Sequence, residues 1–277
     1  MKTLLKSSIA SIALVSLIWA CQRVPLTGRK QLVGFVSNET MMNMSFTEYK
    51  GFMDTSKVVS LNAKDAEMIA RVGGRIKTAV ENYLIQNNYS HVIDGYQWEF
   101  KLVQNKELNA WCMPGGKVCF YTGILPVCKG EAGVAVVMGH EIAHAIASHG
   151  RERMSQALLA NGITQIGAVG AGVYTGDQKV MEIVGQVLGV GSQVLYTLPN
   201  SRNQESEADK LGLIFMAMAG YNPQNAVEFW KRMAEAGAKS QKPPRFISTH
   251  PADEIRIADL EKQMQQAQKY YQAYSGK

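Results

Sequence analysis

The chain has 277 residues, 46% hydrophobic and 19% charged, enough for one large domain or two small ones with a normal buried core, which excludes a disordered chain. Its formal charge of +6 includes Lys2 and Lys6, which lie in a segment expected to be removed; without them 27 basic residues face 23 acidic ones. A balance this mild, with no Lys/Arg-rich run, gives no electrostatic case for a nucleic-acid partner.

Lys2 and Lys6 form a positive start, and Ile9 to Ala20 is apolar apart from Ser11 and Ser16. A dozen apolar residues suit a signal peptide better than a spanning helix. The segment ends Ile18-Trp19-Ala20-Cys21, which resembles a bacterial lipobox despite Ile for the usual Leu and the bulky Trp. Residues 1–20 are therefore expected to be a lipoprotein signal peptide and Cys21 the lipid-modified first residue, anchoring the chain to a membrane. Gln22, rather than Asp, leans toward the periplasmic face of the outer membrane of a bacterial envelope. Residues 21–60 read as a turn-rich arm with little periodicity, and residues 61–277 as the functional domain.

An amphipathic helix is expected from Asn62, its cap, through Ala66, Ile69, Val72, Ile76, Val80 and Tyr83 to Asn87-Asn88. Trp98, Phe100 and Leu102 alternate with Glu99 and Lys101 as in a half-buried strand. Leu108 to Met113 and Lys117 to Tyr121 read as two more strands around Pro114-Gly115-Gly116. Cys112 and Cys119 flank that tip, either as a disulfide or as two strand residues; their spacing is poor for zinc. A helix follows Gly130 to about Leu159. The Gly- and Ala-rich residues 160–195 read as packed or mobile helical segments, since the apolar run Gly162 to Tyr174 is too short to span a bilayer. Further helices run from about Asn203 to Ala219, stopped by Gly220 and Pro223, and from Pro251 to the end.

The chemistry is concentrated in His140-Glu141-Ile142-Ala143-His144. Residues four apart on a helix stack on one face, so both imidazoles can bind one Zn²⁺ while Glu141 reaches the water to be activated. Two histidines and a glutamate among Val134, Val136, Val137, Ile142 and Ile146 are costly to bury unless a metal or partners satisfy them. Three of the five histidines fall within ten residues, but His149 misses the third-ligand spacing and reads as a surface or helix-end residue. A downstream carboxylate is the other source of a third ligand. Glu205 and Asp209 share a helical face, so Glu205 can bind the metal while Asp209 hydrogen-bonds a zinc histidine. Glu207 points about 200° away; it stays the alternative ligand.

These residues resemble, in their order, the zinc-dependent peptidase family of CAAX-prenyl-protease, HtpX-like, BepA-like and mitochondrial OMA-type enzymes. Val24-Pro25-Leu26-Thr27-Gly28-Arg29 is similar to the start of OMA-type bacterial lipoprotein proteases. Asn109-Ala110-Trp111 through Pro114-Gly115-Gly116, Ser201-Arg202 before Glu205 and Asp209, and Ser248-Thr249-His250-Pro251 resemble the family's other blocks. Trp111-Cys112 is an unusual filling for that strand. The resemblance implies an α+β, mainly helical gluzincin-type metalloprotease domain with a small β-sheet preceding the zinc helix. It implies one Zn²⁺ per chain on His140, His144 and Glu205, with Glu141 as catalytic base. It further implies endopeptidase action on unfolded, misfolded or misassembled envelope proteins. Neither the helical-repeat domain of BepA-like proteins nor the multiple spanning helices of other members is expected. In BepA-like relatives the histidine matching His250 can occupy zinc's fourth position; here it can equally cap the last helix, line the cleft or act on the transition state. A zinc-keeping chaperone, which would not need Glu141, and a zinc hydrolase of peptidoglycan are the competing classes.

Overall fold

The computed structural model describes residues 21–24, 26–163, 168–188, 201–239, 244–251 and 254–275. The expected signal peptide, residues 1–20, lies outside the described residues, as do parts of the Gly- and Ala-rich stretch. The chain is α+β. A two-stranded antiparallel ribbon, β1 (Cys21–Arg23) and β2 (Lys30–Leu32), precedes helices α1 (Asn38–Thr55) and α2 (Lys64–Gln86). The arm expected at 21–60 thus carries an 18-residue helix, capped by Ser37, whose hydroxyl accepts from the Thr40 amide. Its buried face, Met41, Met44, Ser45 and Tyr49, has a helical step, but a serine sits in it. Met42, Phe46 and Met53 on other faces blur the pattern further. Helix α2 buries Ala66, Ile69, Val72, Ile76, Val80 and Tyr83, as the periodicity predicts, but starts after Ala63 with no side-chain cap from Asn62.

Strands β3 (Glu99–Val103), β4 (Ala110–Met113) and β5 (Lys117–Tyr121) form a sheet in the order β3-β5-β4, with β3 parallel and β4 antiparallel to β5. Gly115 and Gly116 turn the β4–β5 hairpin with φ of 88° and 82°, a region other residues adopt only under strain. In this register Trp111 faces Cys119 and Cys112 faces Val118. The two cysteines therefore point to opposite faces of the hairpin and both are free thiols.

After the short α3 (Leu125–Cys128), helix α4 (Glu131–Ile146) is buried along its whole length from Gly133. It packs against α2, β4 and α8 (Arg202–Met218). Helix α8 begins with a capping box, the Ser201 hydroxyl accepting from the Gln204 amide and the Gln204 side chain accepting from the Ser201 amide. The single helix expected from Gly130 to about Leu159 is in fact two. Ser148, left-handed at φ 57°, ends α4 and turns the chain into α5 (His149–Ala160). Helices α6 (Ala168–Thr175) and α7 (Gln178–Leu188) pack beside α5 over a second core containing Phe35, Val36, Met41, Met154, Val180 and Ile183. Helix α9 (Gln224–Ala238) was not expected from the sequence; Pro223 stands at its start rather than ending the preceding structure. The short α10 (Arg245–Thr249) and long α11 (Glu254–Tyr274) close the main core. Among the described residues no single helix is long and apolar enough to cross a membrane.

Candidate metal centre

Helix α4 presents His140 and His144 on one face, their Nε2 atoms 3.0 Å apart. Helix α8, crossing α4, brings Glu205 to both: its Oε2 lies 3.4 Å from His140 Nε2 and its Oε1 3.3 Å from His144 Nε2. From the end of α10, His250 adds Nδ1 at 3.1 Å from His140 Nε2 and 2.9 Å from Glu205 Oε1. The ligand atoms of these four buried residues all lie within 4.8 Å of one another and could hold a metal ion. Glu141 Oε1 is buried beside them without a hydrogen-bond partner, 3.4 Å from His250 Nε2.

The chemistry of this donor set fits Zn²⁺, which takes imidazole nitrogen and carboxylate oxygen. Burial holds the His144 imidazole well below its ordinary pKa, so it is a neutral donor. Burial alone would raise Glu205, but the neighbouring His250, Arg256 and His144 keep it a carboxylate, well below the usual range. Asp209 Oδ1 sits 2.9 Å from His140 Nδ1, the ring nitrogen turned away from the cluster, and so favours the tautomer with a free Nε2 lone pair. Burial, more than the nearby charges, pushes Glu141 up to about 7, where a carboxyl group can both take and return a proton.

The structure therefore brings His140, Glu141, His144, Glu205, Asp209 and His250 into one site. Cys21 lies exposed in β1. Glu207 is turned away from the cluster toward His149 and Arg29. His149 corrects the sequence reading: it is fully buried, with Nδ1 2.7 Å from His144 Nδ1 and Nε2 2.9 Å from Glu207 Oε2. On one continuous helix it would point elsewhere, but the turn at Ser148 folds it back against His144. Burial lowers the pKa of His149 and would raise that of Glu207. Glu207 is nonetheless lowered, by hydrogen bonds from His149, Thr27 and Arg29.

Arg256, on the first turn of α11, was not singled out from the sequence. Its Nη1 lies 2.8 Å from Glu205 Oε2 and its Nη2 2.6 Å from Asp209 Oδ1, while the guanidinium stacks 3.3 Å from the Trp230 ring centre. It thus ties together the carboxylates that face His140. Its distance from the acidic pair along the chain hid this role; the available signal was an arginine six residues after His250, in a helix that also buries Leu260 and Met264.

An α+β domain whose buried helix carries His-Glu-x-x-His, with a carboxylate supplied by a second helix, is the architecture of a metallopeptidase. The chain belongs to peptidase family M48, whose sequence model matches residues 71–264. It is 35% identical over 172 residues to the mitochondrial metalloendopeptidase OMA1 of Schizosaccharomyces pombe, covering 62% of this chain and 48% of that one. It is 30% identical over 250 residues to the mitochondrial metalloendopeptidase OMA1 of Bos taurus, covering 88% and 46%. With the beta-barrel assembly-enhancing protease of Escherichia coli K12 it shares 28% identity over 166 residues, covering 58% and 33%. The chain spans about half the length, or less, of these curated relatives.

Proposed function

We propose that the chain is a zinc-dependent endopeptidase that hydrolyses peptide bonds in proteins. The observation that carries this reading is the convergence of His140, His144, Glu205 and His250 within 4.8 Å, with Glu141 beside them. Zn²⁺ held by His140, His144 and Glu205 would supply the Lewis acidity that makes a water molecule nucleophilic at neutral pH and polarises the scissile carbonyl. Glu141 takes the proton from that water and returns it to the departing amine. Asp209 and Arg256 hold His140 and Glu205 in place, and the burial of Glu141 keeps bulk water from the base. No serine or cysteine nucleophile is required. The test is Glu141→Gln in the full chain: it should abolish cleavage of an unfolded protein such as casein while zinc content stays near one per chain. Cleavage that survives the substitution sinks the assignment.

The natural substrates in this reading are misfolded or misassembled proteins of a bacterial envelope, met at the membrane where Cys21 anchors the enzyme, on the periplasmic face of the outer membrane. Two features support it: the lipobox-like Ile18-Trp19-Ala20-Cys21, and the likeness to an E. coli protease named for β-barrel assembly. Two other relatives are mitochondrial by name, so the envelope address rests on the lipobox-like segment and the E. coli relative. Proteomic comparison of envelope fractions from wild-type and Glu141→Gln cells tests the substrate class. Envelope proteins should accumulate in the mutant, and an unchanged envelope would overturn it.

A further inference from the structure

A buried chain of hydrogen bonds leads from the candidate metal site to the N-terminal ribbon. His144 Nδ1 lies 2.7 Å from His149 Nδ1, and His149 Nε2 lies 2.9 Å from Glu207 Oε2. A carboxylate can only accept, so His149 carries its proton on Nε2 and presents a lone pair on Nδ1. His144 must then donate from its own Nδ1, which leaves the Nε2 lone pair directed at His140, Glu205 and His250. The Glu207–His149 pair therefore selects the one tautomer of His144 that can bind a metal.

Glu207 is itself fixed from the N-terminal side. Arg29 Nε donates to Glu207 Oε2 at 2.6 Å, and the Thr27 hydroxyl donates to Oε1. The other arms of the same guanidinium donate to both oxygens of Glu152, at 2.9 and 2.7 Å. Glu152 Oε2 accepts in turn from Gln204 Nε2 at 2.7 Å, the residue that completes the cap of the helix bearing Glu205. Arg29 thus bridges α5 and α8 at the point where each supports a member of the cluster. It lies outside residues 71–264, the part matched by the family model.

We propose that Arg29 is a positioning residue for the metal site, acting through Glu207 and His149 on His144. The segment that follows Cys21 is then part of the catalytic architecture as well as a tether. The inference rests on the metallopeptidase reading above. A planar fork that serves two carboxylates at once is a task for arginine that lysine cannot perform.

Zinc affinity, measured by competition with a chromophoric chelator, tests this without recourse to activity. The purified full chain is compared as wild type, Arg29→Gln, Glu207→Gln and the double variant, with the absorption spectrum of the Co²⁺-loaded forms as a second readout. Arg29→Gln should weaken zinc about 10-fold and alter the Co²⁺ spectrum, within the range expected for an outer-shell partner. In the Glu207→Gln background the same substitution should have a much smaller effect, because the route through Glu207 and His149 is already cut. Arg29→Lys should also weaken zinc, and it carries the comparison if Arg29→Gln does not fold. Wild-type affinity in the Arg29 variants overturns the proposal, as does an Arg29 effect undiminished in the Glu207→Gln background. If the wild-type chain binds no zinc, the metallopeptidase reading itself fails, and the inference with it.

Discussion

Gly139 and Gly212 meet where α4 crosses α8. A Cβ on Gly139 would lie 2.8 Å from the Gly212 carbonyl oxygen, and one on Gly212 would lie 2.9 Å from the His140 backbone nitrogen. Contacts that short involve backbone on both sides, so a side chain could be accommodated only by moving one helix off the other. The two glycines set the approach that lets Glu205 and Asp209, borne by α8, reach His140 on α4. Gly212→Ala should therefore destabilise the fold by about 1 to 3 kcal/mol, as overpacking a core does. It should also reduce bound zinc, because the displaced helix carries the carboxylates. Denaturant unfolding alongside metal analysis checks both, and a variant of wild-type stability and full zinc content would refute the crossing's role.

The carboxylates reached in this way depend on Arg256. Its guanidinium is buried, paired with Glu205 and Asp209, and stacked on Trp230. Removing one member of a buried charged group leaves the others uncompensated, at a cost of about 3 to 5 kcal/mol. Arg256→Met should lower the midpoint of denaturant unfolding accordingly. Arg256→Lys, which keeps the charge but loses the fork and much of the stacking, should recover only part of it. Equal stability of wild type and Arg256→Met would show that the pairing contributes nothing net.

What could be read from the sequence was local. His140, Glu141 and His144 lie within one helical turn and a half, and Glu205 and Asp209 within another, so each face followed from helical spacing alone. The β4–β5 hairpin was announced by Pro114-Gly115-Gly116. Helix α9 follows directly on the Gly220 and Pro223 stop signals, and its buried Ala226, Phe229, Trp230 and Met233 recur at helical steps after them. Contacts across long stretches of chain left no such trace. Arg29 is joined to Glu152 and Glu207, and Arg256 to Glu205, by the fold and by no pattern of neighbours. The place of His149 is likewise set by the fold. Its meaning depends on the left-handed Ser148, a conformation that few non-glycine residues adopt and that no spacing rule anticipates.

The proposal that Cys21 is a lipid anchor is tested by Cys21→Ser in cells. The expected outcome is loss of metabolic labelling with a fatty acid and movement of the protein from the membrane to the soluble fraction. Label that persists in the mutant would end the lipobox reading. The position suits modification, since Cys21 is exposed in β1. That ribbon also leads, eight residues on, to Arg29.

His250 is the fourth donor of the candidate metal cluster. The backbone of α10 sets its place, with His250 N donating to Phe246 O at 2.8 Å and the Phe246 ring 4.7 Å from the imidazole. From there the side chain enters the cluster, touching His140, Glu205 and Glu141 from one position. A fourth protein donor competes with water and with the scissile carbonyl for the place both need at a catalytic metal, which usually keeps one position open. If His250 holds that position as a latch, substrate has to move it aside before chemistry, a gating step on the path to cleavage. His250→Ala should accordingly raise the initial rate of cleavage of one unfolded substrate at saturating zinc, while weakening zinc itself through the lost donor. The alternative is that His250 donates a hydrogen bond to the developing oxyanion, in which case its loss would slow cleavage by about 100-fold, as removal of such a donor does. An unchanged rate would return His250 to a purely structural place at the end of α10. The sign of the change separates a latch from a catalytic group.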